Sequence, residues 1–359
     1  MAGGAGERFW PLSRRNKPKQ LLPLNEPDKS MLLEAVERAT ALAGMDNTYI
    51  VTGKHLAAPI RDAGLPLPRE NVLTEPCKRN TTGALAYITA HLLARHGDAA
   101  SERICLAIMT ADHRIGDVDA FLRTVRTAMR VADAEPALVT CGITPTRPAT
   151  GFGYIESEPD TRQELDAPVY KVRAFHEKPD AERAREFLAS KRFFWNSGMF
   201  FWRLSTFLDE MTQARPDIAA AIHEMAEALR ADDTVAAARV FEALEDISID
   251  YALMENARNI MVVEGDFPWA DVGSWTALRR ADNVDEAGNL LRGDAVVVDC
   301  NNSIIVNAAG AGKMEVAALG LSNVTVVVTE DAVLVMDSTR AEEVRRIVST
   351  LKERDSKKL

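Results

Sequence analysis

Between Ile104 and Met109 the chain reads Ile-Cys-Leu-Ala-Ile-Met, without one polar residue. A run of this length bounded by polar residues reads as a strand, and a strand with no polar side must be covered on both faces. That narrows the fold to a sheet with helices packed above and below it. The flanking sequence agrees. Ser30 caps a helix with Leu32, Val36 and Ala39 on one face, and Tyr49-Ile50-Val51 follows as a short apolar strand. Thr81 or Thr82 opens a second helix that runs through Leu93. Asp117 caps a third, with Phe121, Val125 and Met129 at helical spacing, and Ala137 to Cys141 forms the next strand. This alternation predicts an α/β fold, a Rossmann-like and mostly parallel sheet flanked by helices. Ligands of such sheets bind beyond the carboxyl ends of the strands.

The period changes near residue 285, which divides the chain into a catalytic domain over 1–284 and a small domain over 285–359. Asp294-Ala-Val-Val-Val, Ser303-Ile-Ile-Val, Val324-Thr-Val-Val-Val and Ala332-Val-Leu-Val are short β-branched runs divided by Asn, Gly and Asp turns. They predict a small β domain of β-helix-like coils. A helix follows from Thr339, with Val344, Ile347, Val348 and Leu351 as its apolar stripe. That stripe is read as packing on the β domain or against a second copy in a homodimer, in preference to membrane attachment.

A net charge of −10 argues against nucleic acid as a partner, because duplex binding requires a basic surface. A nucleotide substrate remains compatible with it, since a few local cations and a divalent metal reverse the sign inside one cleft. The absence of a long apolar run and of a signal-peptide core predicts a cytoplasmic protein with no membrane partner. Cys77, Cys105, Cys141 and Cys300 lie far apart with no C-x-x-C pair, and read as reduced thiols in strands.

The opening loop carries the strongest functional signal: Gly3-Gly4-Ala5-Gly6-Glu7-Arg8, then Pro11-Leu12-Ser13-Arg14, then Pro18-Lys19-Gln20. Glycines allow a backbone to approach phosphates and present its N–H groups, and Arg8 and Lys19 add charge. The pattern is neither the Rossmann dinucleotide fingerprint nor a P-loop. It resembles the signature of the nucleoside-diphosphate-sugar pyrophosphorylases, in the style of their mannose-1-phosphate guanylyltransferase branch. Further motifs match in the family's order: Glu75-Pro76 with Arg79-Asn80-Thr81, Ala111-Asp112-His113, Gly151 to Glu156, Phe175 to Pro179, Trp195 to Met199, Ser248 to Tyr251 and Asp271 to Trp275. Two positions depart from it: Met109-Thr110 stands where Leu-Pro is usual, and Thr82-Gly83 where Ala-Pro is common.

The resemblance implies nucleotidyl transfer from GTP to mannose 1-phosphate, with Mg2+ as cofactor. It implies that Asp112 and Asp271 hold the metal, that Arg8 and Lys19 act on the triphosphate, and that Ala2, Gly3, Gly4 and Gly6 line the nucleotide. The hexose phosphate falls to Glu177, Lys178 and Asn196 with the backbone near Gly153. Glu75 could accept from the guanine edge, whereas Asn80 and Thr81 serve the nucleotide or cap the next helix. His113 reads as a packing residue beside the metal, and Trp195, Phe200, Phe201 and Trp202 as core aromatics. Two alternatives stay open: a different base or sugar, and a ligand-sensing relative without catalysis. Relatives carry a buried strand just before the glycines, whereas here the glycines follow Met1-Ala2, so a segment upstream of Met1 is expected to supply that strand.

Overall fold

The computed structural model describes residues 1–4 and 6–359; Ala5 lies outside the described residues. In chain order the strands of the first region are β1 (Ile50–Gly53), β2 (Val72–Glu75), β3 (Cys105–Ile108), β4 (Arg114–Ile115), β5 (Leu138–Ile143), β6 (Tyr154–Glu164), β7 (Pro168–His176), β8 (Phe193–Arg203), β9 (Ile260–Gly265) and β10 (Trp269–Ala270). The helices are α1 (Met31–Ala43), α2 (Lys54–Arg61), α3 (Asn80–His96), α4 (Val118–Ala134), α5 (Ala181–Ser190), α6 (Leu204–Ala214), α7 (Pro216–Arg230), α8 (Thr234–Glu242) and α9 (Trp275–Ala281). The expected caps form: the Ser30 hydroxyl accepts from the Leu33 N–H, and the Asp117 carboxylate satisfies the first turn of α4; Asp180 likewise caps α5. Helix α3 starts at Asn80, a residue or two ahead of the expected threonines.

β9 runs parallel to β5, and β2 parallel to β1. β8 lies antiparallel between β3 and β5, so those two share a direction. β7 is antiparallel to β9 and closes on β6. The common direction of β3, β5 and β9 brings their carboxyl ends to one edge, where Asp112 and the loops after β5 and β9 emerge. Helices cover both faces of this sheet, as the unbroken apolar strands require.

Two residues hold the place between β1 and β3. The Met1 amine donates to the Met109 carbonyl at 2.7 Å and the Ala111 N–H to the Met1 carbonyl at 3.1 Å, while the Ala2 N–H reaches the Val51 carbonyl at 3.0 Å. Met1 is therefore level with Thr110 in the parallel pattern, and behind it the sheet opens into a cavity of about 800 Å³ lined by Val51, Leu85, Ile88, Leu106, Ile108 and Met129 among others. This corrects one expectation: Cys105, Leu106 and Ala107 are half-buried rather than covered on both sides. Helices lie above and below them, but their free edge faces that gap.

The second region adds β11 (Leu290–Arg292), β12 (Ala295–Val298), β13 (Ile304–Asn307), β14 (Val316–Leu319), β15 (Val324–Val328), β16 (Val333–Asp337) and α10 (Val344–Glu353). β11, β13 and β15 stack in parallel, as do β12 and β14, which gives the β-helix-like coils that the β-branched runs predict. β11 and β14 carry no such run and come from the structure alone. One apolar cluster joins Phe9, Trp10 and Leu22 of the opening loop to Ile304, Val344 and Val348. The stripe of α10 thus packs within its own chain; Ile347 remains partly exposed. Among the described residues no helix is long and apolar enough to cross a membrane.

Candidate active site

The opening loop is pinned from beneath by the segment that follows it. Gln20 Nε2 donates to the Gly4 carbonyl at 2.7 Å, and the Ser13 hydroxyl to the Gly6 carbonyl at 2.8 Å. Gly6 has φ +64°, and a Cβ there would lie 2.2 Å from Cβ of Lys19, so this turn admits only glycine. Ala2 is buried, whereas Gly3 and Gly4 are exposed.

Lys19 is the hinge pin of the nucleotide side. Its buried ammonium donates to Asp112 Oδ2 at 3.0 Å, to the Asp112 carbonyl at 3.1 Å and to the Asp271 carbonyl at 3.1 Å. It thereby holds the segment after β3 against the segment after β10, which the β4–β10 pairing also brings side by side. Burial works to raise the Asp112 carboxyl, but Lys19 and His113 outweigh it and keep Asp112 below the usual carboxylate range. Asp271 Oδ1 accepts from the Gly273 N–H at 3.3 Å. Lys19 thus holds the Asp112 carboxylate and the backbone of Asp271 close together, and two carboxylates from such neighbouring segments suit a hard divalent cation that completes its shell with phosphate and water.

Arg8 donates through Nη1 to the Gly273 carbonyl at 3.2 Å, and its Nε lies 2.6 Å from Glu342 Oε2. Glu342 belongs to the turn ahead of α10, more than three hundred residues away, and no local pattern announces the contact. His113 behaves as a packing residue: burial lowers its pKa, Trp269 Nε1–H donates to its Nδ1, and the rings meet edge to face.

Glu75 ends β2 beneath the loop, and burial lifts its carboxyl to about 7, tempered by the Met1 amine. Asn80 is exposed and accepts from the Thr81 N–H. The Thr81 hydroxyl accepts from the Ile249 N–H at 2.8 Å, which commits it to tethering another segment.

The residues expected to hold the hexose phosphate form a second cluster beside the ends of β6 and β7 and on β8. The Asn196 N–H on β8 donates to the Gly153 carbonyl at 2.8 Å. A Cβ on Gly153 would stand 2.5 Å from Glu177 Oε2, so the glycine is what admits that carboxylate. Lys178, at φ +45°, pairs its Nζ with Glu177 Oε1 at 2.7 Å while most of its side chain stays exposed. Asp250, inside one of the quoted motifs but given no role there, joins them: Asn196 Nδ2 donates to its Oδ1 at 2.8 Å.

Between the clusters stands an aromatic wall. Phe152 meets Trp195 at 5.1 Å and Trp269 at 5.4 Å, with Arg147 over both Phe152 and Trp195. Trp195, Phe200, Phe201 and Trp202 are buried, as their reading as core aromatics requires. A cavity of about 530 Å³ opens beside Asp271, lined by Arg147, Trp195, Trp269 and Arg280 among others.

Residues 1–288 match the family model described as Nucleotidyl transferase, and residues 293–351 the one described as MannoseP isomerase/GMP-like beta-helix domain. A mannose-1-phosphate guanylyltransferase of Klebsiella pneumoniae is 39% identical over 98% of this chain and 73% of its own length. Its namesake from Escherichia coli is 38% identical over the same shares. A solved structure described as a mannose-1-phosphate geranyltransferase from Thermus thermophilus superposes with a TM-score of 0.82 at 33% identity, covering 98% of each chain.

Proposed function

The chain belongs to the nucleotidyl transferase family, and from that premise we propose that it joins GTP to mannose 1-phosphate, giving GDP-mannose and pyrophosphate. The observation that carries the reading is the double contact of Lys19, which clamps Asp112 and Asp271 together directly beneath Gly6, with the Glu177–Asn196 cluster across the aromatic wall.

The attacking group is a phosphate oxygen that is already ionised, so no general base is required. That oxygen forms a bond to the α-phosphorus while the bond to the bridging oxygen of the β-phosphate breaks, and pyrophosphate departs with the electron pair. Positioning and charge neutralisation then account for the acceleration. Among the described residues Arg8 Nη2 has no partner, and it is left to the departing phosphates. Lys19, whose three N–H groups now meet Asp112 and Asp271, would turn one of them to the α-phosphate, and Lys178 takes the phosphate of the nucleophile. Its present partner Glu177 turns to sugar hydroxyls. The exposed N–H groups of Gly3 and Gly4 offer further donors, and Ala2 backs the loop.

Asp112 and Asp271 would hold a divalent cation, for which Mg2+ fits their hard oxygens and low ligand number; when bound it neutralises charge on the triphosphate. Glu75, once ionised, offers two acceptors to the N1–H and N2–H₂ edge of guanine. We read the elements through α9 as one catalytic body over 1–284 and the β-helix coils with α10 as a small body over 285–359, with Arg8–Glu342 among the contacts where they meet. A cytoplasmic place agrees with these substrates.

A pyrophosphate-release assay over a grid of nucleoside triphosphates and sugar 1-phosphates tests the reading. Fastest turnover is expected for GTP with mannose 1-phosphate, abolished by EDTA and restored by Mg2+. A preference for another base or hexose would break the specificity, and no release from any pair would break the enzymatic reading.

A further inference from the structure

Asp250 opens a π-helical turn, Asp250–Met254, that is tied down at its start. Ahead of it the Ile249 N–H donates to the Thr81 hydroxyl at 2.8 Å, and the turn closes on itself through the Glu255 N–H, which donates to the Asp250 carbonyl at 2.9 Å. Single π turns inside or beside helices recur at functional sites, where they aim a side chain that a regular helix would turn away. Here the aim is toward the Gly153–Glu177 pair. The bridge is Asn196, whose Oδ1 accepts from the Gly198 N–H at 3.0 Å and whose Nδ2 donates to Asp250 Oδ1. The amide is thereby fixed in orientation with one N–H left over. Apart from Asn196 and its own backbone N–H, the Asp250 carboxylate has no hydrogen-bond partner among the described residues.

We propose that Asp250 is a substrate-binding residue of the hexose site, accepting a hydrogen bond from a sugar hydroxyl through Oδ2, with Asn196 as its positioning partner. The proposal rests on a hexose 1-phosphate being the acceptor. Three donors and acceptors, Glu177, Asp250 and the spare N–H of Asn196, then converge on adjacent hydroxyls, while Lys178 keeps the phosphate. A carboxylate is an expensive choice for a mere strut. Burial first, and then the neighbouring charge of Glu177, lift the Asp250 carboxyl to about 6 against the pull of Asn196 and Lys178. An amide or hydroxyl would hold Asn196 without that cost, whereas a strong acceptor gains from a hydroxyl donor that only the substrate brings.

The test uses the full chain as Asp250→Ala and Asp250→Asn, with circular dichroism to establish folding. Steady-state kinetics are run with the hexose 1-phosphate that the unaltered protein turns over fastest and with its 2-, 3-, 4- and 6-deoxy analogues. Asp250→Ala is expected to raise KM for the parent acceptor on the order of tenfold, with KM for GTP within about twofold. It should also erase the penalty against one deoxy analogue, because the group that read that hydroxyl is gone. Asp250→Asn keeps the size and should retain part of the discrimination. Deoxy penalties unchanged in both variants, or both KM values rising together, would overturn the proposal. A best acceptor other than mannose 1-phosphate breaks the functional reading instead, and leaves the deoxy comparison decisive for Asp250.

Discussion

On the acceptor side the polar groups stand on or beside complete elements. Asn196 lies within the eleven residues of β8, Glu177 directly follows β7, and Asp250 opens a turn tethered ahead of it through Ile249 and Thr81. On the nucleotide side Gly3 and Gly4 follow two residues that make one rung between β1 and β3, beside a cavity of about 800 Å³. There the loop takes its rigidity from later sequence: from Ser13, Lys19 and Gln20 beneath it, and from Glu342 beside Arg8. The contrast teaches that the two halves of one cleft are ordered differently, the acceptor half by strand and turn and the loop half by side chains that reach back to it. Damage to the second half should then show in the chemistry, and damage to the first in acceptor binding.

The sharpest way to break this division is to remove charge at the junction of the two halves. Asp112→Asn and Asp271→Asn should each lower kcat on the order of a hundredfold or more, because each removes a carboxylate from the proposed cation. Near-normal rates at saturating Mg2+ would end the metal assignment. A paired comparison sharpens it further. Lys19→Ala should lower kcat by a comparable factor and destabilise the fold, since it leaves the Asp112 and Asp271 carbonyls without their donor. Lys178→Ala should instead raise KM for mannose 1-phosphate roughly tenfold with kcat little changed, a charge met equally in ground and transition states. An unchanged KM would remove Lys178 from the acceptor site.

The cavity beside Met1 offers a test. Met1 is level with Thr110, so a strand running back along β3 to Ile104 needs about six more residues. We propose that an extension of that length, β-branched and apolar, placed ahead of Met1 fills the cavity and stiffens the loop. Burying two or three more apolar side chains should raise the melting temperature by several degrees, up to the order of ten, with a rise in turnover. Equal melting temperature and equal turnover would show that the loop needs no strand behind it.

The smallest effect concerns pH. The Asp250 carboxyl, near Glu177, Lys178 and Asn196, is lifted to about 6 in the folded protein from an ordinary 3.8. The folded state therefore binds its proton more tightly, so this group's contribution to stability falls as pH rises from about 4 to 6 and is flat above. Urea unfolding at pH 5 and pH 7.5 should show a smaller difference for Asp250→Asn than for the unaltered chain. An identical difference would remove Asp250 as a source of the slope.

Much of this was legible before any coordinates. Caps at Ser30 and Asp117 are local, and local chemistry decides them. The conjunction of Lys19 with Asp112 follows from motifs that resemble a known signature. What escaped was whatever depends on distant partners or on weak patterns. β11 and β14 are short, and Val316-Ala-Ala-Leu carries little β signal. The Ile104–Met109 run predicts full burial because its composition reports only what the strand would prefer. Asp250 sat inside a quoted motif, but its neighbours Asn196 and Glu177 are remote in sequence, and only their meeting reveals a free oxygen.

The contacts that fasten the opening loop to the far region carry a consequence for the order of assembly. Trp10 Nε1 donates to the Lys358 carbonyl, Arg14 pairs with Asp331, and Lys352 with Glu7. At roughly 5–20 residues per second, a ribosome reaches those partners somewhere between about a quarter of a minute and more than a minute after making the loop. Through that interval the glycine segment has emerged without the grip of the β-helix region. The nascent chain should therefore acquire nucleotide affinity late, and a chain interrupted near residue 300 should fold its sheet yet hold GTP poorly. Synthesis and competence are separated in time by the length of the molecule itself.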